Sequence, residues 1–213
     1  MMWRAVFILV FLALAACARP LTDLEEKFAQ DIFGPTLDTS KIRVAHGAGI
    51  LPPAKTRITK VTRVQGTENA CVRVPTPKAA RQPTQAFALW NRMHFHTGLY
   101  SSQMVTRWPD AIRLPQAFVF AHELTHVWQW QNRERTGYTP FRAGFESLAL
   151  IDPYFAPPGE APFFSFGYEQ QAAILEDYLC FAFANPDHPR RAELRAILEP
   201  IFPVDTIDAA IGQ

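Results

Sequence analysis

The chain has 213 residues, 48% of them hydrophobic, with 21 Lys+Arg against 20 Asp+Glu and a net charge of +1. That composition excludes a disordered polyelectrolyte, and a near-neutral chain without a basic run gives no support for nucleic-acid binding. The length suits one domain with a sizeable core.

Residues 1–16 read as a secretion signal, with Arg4 as the positive n-region and an unbroken apolar run over residues 5–16 that is too short to span a bilayer. Leu14-Ala15-Ala16-Cys17 resembles the bacterial lipobox. The resemblance implies cleavage before Cys17, lipidation of its thiol, and residues 17–213 as a single mature domain. By the same resemblance, Ala18 after the cysteine, where Asp would retain the protein, implies the outer membrane, with the domain facing the periplasm and anchored without spanning. Cleavage would remove Arg4 alone and leave 20 charges of each sign. Cys71 and Cys180 would then lie in an oxidising compartment, where a disulfide between them is permitted but not dictated.

Thr22-Asp23-Leu24-Glu25 has the form of a capping box, and Leu24, Phe28 and Ile32 follow at helical spacing until Gly34-Pro35. Between residues 42 and 74 the pattern changes to β-branched residues interleaved with polar ones, which predicts strands at 42–44, 57–64 and 71–74, the last two joined across residues 66–69. Residues 75–83 form a polar, Pro-bearing link. A helix is expected over residues 84–96, on which His94 and His96 would diverge by about 200°, whereas on a strand they would share a face and could bind a metal; His96 near the element's end is also a possible substrate-side group. Trp108-Pro109-Asp110 reads as a turn into the next element.

That element is the chemical centre of the chain. Residues 116–135 hold no Gly or Pro, Pro115 suits a first helical turn, and Thr136-Gly137 is a plausible stop. At about 100° per residue, Ala117, Phe120, Ala121, Leu124, Val127 and Trp128 share an apolar arc, while His122, Glu123 and His126 fall on the opposite side. These three form HExxH. Two histidines four apart on one helix can grip one ion, and Glu123 then stands where it can take a proton from water.

The stretch HELTHVWQWQ resembles the zincin metallopeptidase signature, and its HVWQ part resembles the HExTHVWQ form of small bacterial peptidases associated with secretion and phage-tail-like systems. The resemblance covers well under half of the chain. It implies Zn²⁺ as cofactor and a third ligand from outside the motif. No HExxHxxGxxH extension is present, so a gluzincin-like glutamate on a second helix is implied. Glu169 leads a segment, Glu169-Gln170-Gln171-Ala172, that resembles the ExxA ligand helix of CAAX-protease-like and HtpX-like enzymes. Glu146, 20 positions after His126, is the runner-up at a thermolysin-like separation but lacks the surrounding Asn-Glu-Ala pattern. Asp177 or Glu176 would stand in for the carboxylate that orients a ligating histidine, because Ala173 occupies the position where those families carry Asp.

The expected fold is therefore α+β: a small N-terminal β-sheet and a helical lobe, zincin-like, with an edge strand that, by resemblance, pairs with extended peptide. Residues 155–167, rich in Pro, Gly and Phe, precede the Glu169 helix as a packed connection or a wall over the cleft. Further helices are expected over 169–184, 190–202 and after Pro203. The expected activity is peptide-bond hydrolysis at the cell envelope on a peptide or protein substrate, with His122, His126 and Glu169 on the metal and Glu123 as general base and then acid. Tyr138, Tyr168, Tyr178, His94 and His96 are available to steady an oxyanion, and the sequence does not rank them. Cell-wall peptide is a substrate the same residues would serve. The alternative is a membrane-anchored binding or scaffold lipoprotein with a structural metal site, against which Glu123 argues because such a site needs no base.

Overall fold

The computed structural model describes residues 18–47, 71–77, 84–113, 115–150 and 152–212. The signal peptide expected over residues 1–16, Cys17 and the strand expected over 57–64 lie outside the described residues. Four short strands, β1 (Ala18–Arg19), β2 (Arg43–His46), β3 (Ala86–Leu89) and β4 (Arg92–Phe95), form one sheet in the order β1-β2-β4-β3. β2 and β4 run parallel, and the outer pairs are antiparallel. The helices are α1 (Asp23–Phe33), α2 (Gln116–Gln131), α3 (Arg133–Thr136), α4 (Pro140–Ala149), α5 (Tyr168–Ala184), α6 (Pro189–Leu198) and α7 (Val204–Ala210). The architecture is α+β with a small four-stranded sheet. Among the described residues no helix is long and apolar enough to cross a membrane.

α1 begins with the expected capping box, Thr22 Oγ1 accepting from the Glu25 N–H while a Glu25 carboxylate oxygen accepts from the Thr22 N–H. Glu25 is fully buried, and Arg19 and the Met104 N–H also donate to it, so this one carboxylate ties β1, α1 and the loop before α2 together. A buried charge is tolerable only when paired and hydrogen-bonded in this way.

The helix expected over 84–96 is instead a β3–β4 hairpin. Its burial alternates with period two: Ala86 and Ala88, then Met93 and Phe95, point into the core, while Phe87 and His94 stack on the other face with centroids 4.7 Å apart. Pairing with β2 supplies ladder hydrogen bonds that a helix in this position would forgo, and tertiary context overrides local propensity. Residues 71–74 are a second correction. They form no strand, although their alternation persists, with Cys71 buried and Val72 and Val74 exposed. Their partner is a helix, because Cys71 is disulfide-bonded to Cys180 of α5.

α2 lies at the centre of the packing. All six residues of its expected apolar arc are fully buried, and Trp128 meets the rings of Phe163 and Phe202 edge-on. The helix ends at Gln131, earlier than its composition suggests; Asn132 caps it and α3 carries the chain to Gly137, whose left-handed φ of 68° turns it away. α5 packs along α2 through Ala172 and Ala173, both fully buried, whose small side chains let the two backbones approach. The face of α2 opposite the core arc is thereby set against the start of α5.

Candidate metal centre

His122 and His126, one turn apart on α2, direct their rings toward the first turn of α5, where Glu169 sits. Glu169 Oε2 lies 3.0 Å from His122 Nε2 and 3.2 Å from His126 Nε2, and the ligand atoms of the three residues lie within 4.8 Å of one another. Ligand atoms about 2.0–2.1 Å from one tetrahedral ion would be about 3.3 Å apart, so the observed spacing fits a metal ion. The three residues can hold one.

The hydrogen bonds behind the rings fix the protons. His126 Nδ1 is 2.8 Å from Gln129 Oε1, and the Gln129 amide is itself oriented, its Nε2 donating to the Tyr168 carbonyl and to Gln171 Oε1. Gln129 therefore presents an acceptor, and His126 Nδ1 must donate. His122 Nδ1 is 3.2 Å from Glu176 Oε2, which can only accept as a carboxylate. With both protons on Nδ1, two Nε2 lone pairs and a carboxylate oxygen converge on one point. Three acceptors at this spacing leave a place for a cation between them, as in the carboxylate–histidine arrangements that orient metal ligands; a proton on an Nε2 fills the same role by donating to Glu169 Oε2.

The electrostatics respond to the same demand. Burial alone would depress His122, but its hydrogen bonds to Glu169 and Glu176 outweigh burial and raise it to about 10. His126 is raised as well, burial again being outweighed, chiefly by Glu169. Burial opposes ionisation of Glu169, yet the charge of His126 and hydrogen bonds from both imidazoles hold it well below the usual carboxylate range. Burial lifts the Glu123 carboxyl to about 7 against the pull of the two histidines. Glu123 is 4% exposed, and among the described residues its buried Oε2 has no hydrogen-bond partner.

A cleft of about 490 Å³ opens beside these residues, lined by His122, Glu123, Val119, Leu148, Tyr154 and Arg73 among others. Glu146 is not among the three residues whose ligand atoms converge. It reaches from α4 to accept the Tyr168 N–H at 2.6 Å, supplying the N-terminal cap of α5 that Gly167, having no side chain, cannot provide. A Cβ on Gly167 would stand 2.4 Å from Glu146 Oε1, so the cap requires glycine there. Glu146 thus braces the backbone one residue before Glu169.

Glu176 orients His122, while Asp177 takes a different part. It holds the Arg73 guanidinium, at 2.8 Å from Nη2 and 3.2 Å from Nε, and burial raises it to about 6 despite that partner. Tyr138 stacks on His126 with ring centroids 5.7 Å apart and is buried, with Tyr168 edge-on behind it. Tyr178 donates to Asp208, and His94 and His96 engage the Gly47 carbonyl and the Gly98 N–H; none of the three joins the cluster. Sequence reasoning passed over Tyr154, whose ring lies 5.8 Å from that of His122, and over Gln129 and Arg73. Gln129 had a legible signal, since i and i+3 positions on one helix are neighbours. Arg73 had none, being 49 positions from His122 in the chain.

No family model and no curated protein sequence matches this chain. Among solved structures, the effector domain of Pseudomonas aeruginosa VgrG2b is similar at a TM-score of 0.49 and 21% identity, over 86% of this chain and 83% of that one.

Proposed function

We propose that this chain is a zinc-dependent peptide-bond hydrolase of the zincin type, gluzincin-like in its third ligand and held at the bacterial envelope through lipid on Cys17. The observation that carries the reading is the convergence of His122 Nε2, His126 Nε2 and Glu169 Oε2 beside the buried carboxylate of Glu123. A purely structural site has no use for that second carboxylate.

His122, His126 and Glu169 would hold the ion, which when bound polarises a carbonyl and makes water more acidic. Glu123 lines the cleft, so a water between its carboxylate and a bound amide can give up its proton as the oxygen adds to the carbonyl carbon. Glu123 then passes that proton to the departing amine nitrogen, and the C–N bond breaks. A carboxyl near 7 is well placed to take and return a proton around neutral pH. The apolar walls of Val119 and Leu148 shed water from the reacting bond, and the Gln129 and Glu176 contacts keep both rings oriented throughout. The substrate on this reading is an extended peptide, since the cleft is open and lies along the edge strand β3 through Gln85 and Ala86.

The test is zinc content and peptide hydrolysis of the purified chain with Glu123→Gln beside it. About one zinc per chain in both, with hydrolysis falling by roughly 10²–10⁴ in the variant, supports the reading. A wild type that binds no zinc after reconstitution, or that hydrolyses nothing in a broad peptide and cell-wall peptide panel, leaves the scaffold alternative in its place.

A further inference from the structure

Residues 71–77 run as an irregular strap across α5 and end beside the cleft. The strap has little apolar packing of its own, since Val74 is 67% exposed and Val72 42%. Among the described residues three contacts hold it: the Cys71–Cys180 disulfide, the Arg73 ion pairs, and the Thr76 N–H donating to Asp152 Oδ2 at 2.7 Å. Asp152 belongs to the loop of Tyr154, whose N–H it also accepts at 3.0 Å.

Arg73 is the informative residue. Asp177 binds it through two guanidinium nitrogens, a fork geometry that fixes the plane of the group. The same Nη2 then reaches Glu176 Oε2 at 3.2 Å, and this is the oxygen that lies 3.2 Å from His122 Nδ1. One carboxylate oxygen thus receives a donor from the strap and a donor from the proposed ligand. A glutamate side chain has three rotatable bonds, and what holds its oxygen at the imidazole is the guanidinium on its other side.

We propose that the Cys71–Cys180 disulfide and Arg73 together form a positioning device that completes the metal site only in the oxidised chain. The path runs from the disulfide to Arg73, to Glu176, to His122. Reduction by an external dithiol, two thiols forming one disulfide while Cys71 and Cys180 become two thiols, would release the strap. Arg73 would leave Glu176, His122 would lose its fixed orientation, and the ion would be held less tightly. A chain still in a reducing compartment would therefore carry an incomplete site, and thiol–disulfide exchange with an external disulfide after export, that disulfide being reduced to two thiols as Cys71–Cys180 forms, would finish it. The proposal rests on the metal-site reading above and names a regulation of that site.

The experiment uses the full chain purified in detergent, as wild type, Arg73→Gln, Arg73→Lys, the double variant Cys71→Ser/Cys180→Ser, and Val74→Ser as a strap control. Zinc affinity is measured by competition with a chromophoric chelator. The His122 Nδ1 proton is followed in the metal-free protein by long-range ¹⁵N–¹H spectra and assigned by its loss in His122→Gln. Expected is zinc affinity about 10- to 100-fold weaker in Arg73→Gln and in the cysteine double variant, partial recovery in Arg73→Lys, no change in Val74→Ser, and a His122 Nδ1 proton that exchanges rapidly wherever affinity falls. Should the double variant fail to fold, Arg73→Gln, which keeps the disulfide, decides alone. Wild-type affinity and a slowly exchanging proton in Arg73→Gln would overturn the proposal. Absence of zinc binding in the wild type would sink the hydrolase reading, and the Nδ1 proton would still judge the strap.

Discussion

The two histidines of HExxH are equivalent in sequence and differ in how the protein supports them. His126 leans on Gln129, a neutral amide from its own helix, which is held in turn by Gln171 and the Tyr168 carbonyl of α5. Everything needed to orient it lies in the α2–α5 pair. His122 leans on Glu176, a carboxylate whose position depends on Arg73 and, through the strap, on a disulfide spanning 109 residues. One ligand is set by local helix packing and the other by a long-range closure. The difference places the vulnerable side of the site at the cleft wall, where Arg73 and Glu176 are found, and the robust side in the core.

The most severe break removes the atom both histidines share. Glu169→Ala should reduce zinc from about one per chain to near none by elemental analysis, because two neutral imidazoles alone leave the ion without its anionic ligand. The comparison itself is sharpened by changing one support at a time. Glu176→Ala and Gln129→Ala should each weaken zinc binding by about 10- to 100-fold. They should differ in their response to reduction: a dithiol should weaken Gln129→Ala further and leave Glu176→Ala nearly unaltered, since the latter has already lost the link through which the strap acts. Chelator competition with and without the reductant checks both, and equal responses would remove the distinction between the two sides.

The metal-free chain offers a smaller effect with a definite sign. His122 is raised from 6.5 to about 10 by Glu169 and Glu176 acting against burial. A raised pKa means that the folded state holds the proton more tightly, so this contribution to stability is complete below about 6.5 and is lost as pH rises through about 10. Thermal denaturation of the chelator-treated protein should therefore show Tm falling between these limits. Zinc occupies the same lone pairs without a proton, so the loaded protein should show a flatter profile over that range. Parallel profiles would contradict the assignment of Nε2 as the metal-facing atom.

How much of this was legible in the sequence follows the same division. The capping box of α1, the apolar arc of α2 and the meeting of Glu169 with His122 and His126 could be read because each depends on residues close in the chain or on a short motif. The β3–β4 hairpin could not, because Ala86-Phe87-Ala88-Leu89 is compatible with either helix or strand until β2 is available to pair with β4. The failure of residues 71–74 to form a strand has a related cause: their alternation was real, but the buried side faces a helix and a disulfide. Arg73 lay beyond any local signal, since a lone arginine in a polar stretch carries no mark of the two carboxylates it will meet about a hundred positions later.

The least change expected concerns Glu146, the residue that competed with Glu169 for the ligand role. As the cap of α5 it accepts the Tyr168 N–H, and Glu146→Ala should cost about 0.5–2 kcal/mol of stability while zinc stoichiometry stays at about one per chain. Gly167→Ala should cost a similar amount, because its new Cβ would displace the Glu146 carboxylate from 2.4 Å and break the same hydrogen bond. The two losses are therefore one loss counted twice. In a double-mutant cycle by chemical denaturation, Glu146→Ala/Gly167→Ala should be hardly less stable than Glu146→Ala alone, a strongly non-additive result of the kind expected for residues in contact. Strict additivity would show that Glu146 and Gly167 act separately, and loss of zinc in Glu146→Ala would return it to the metal.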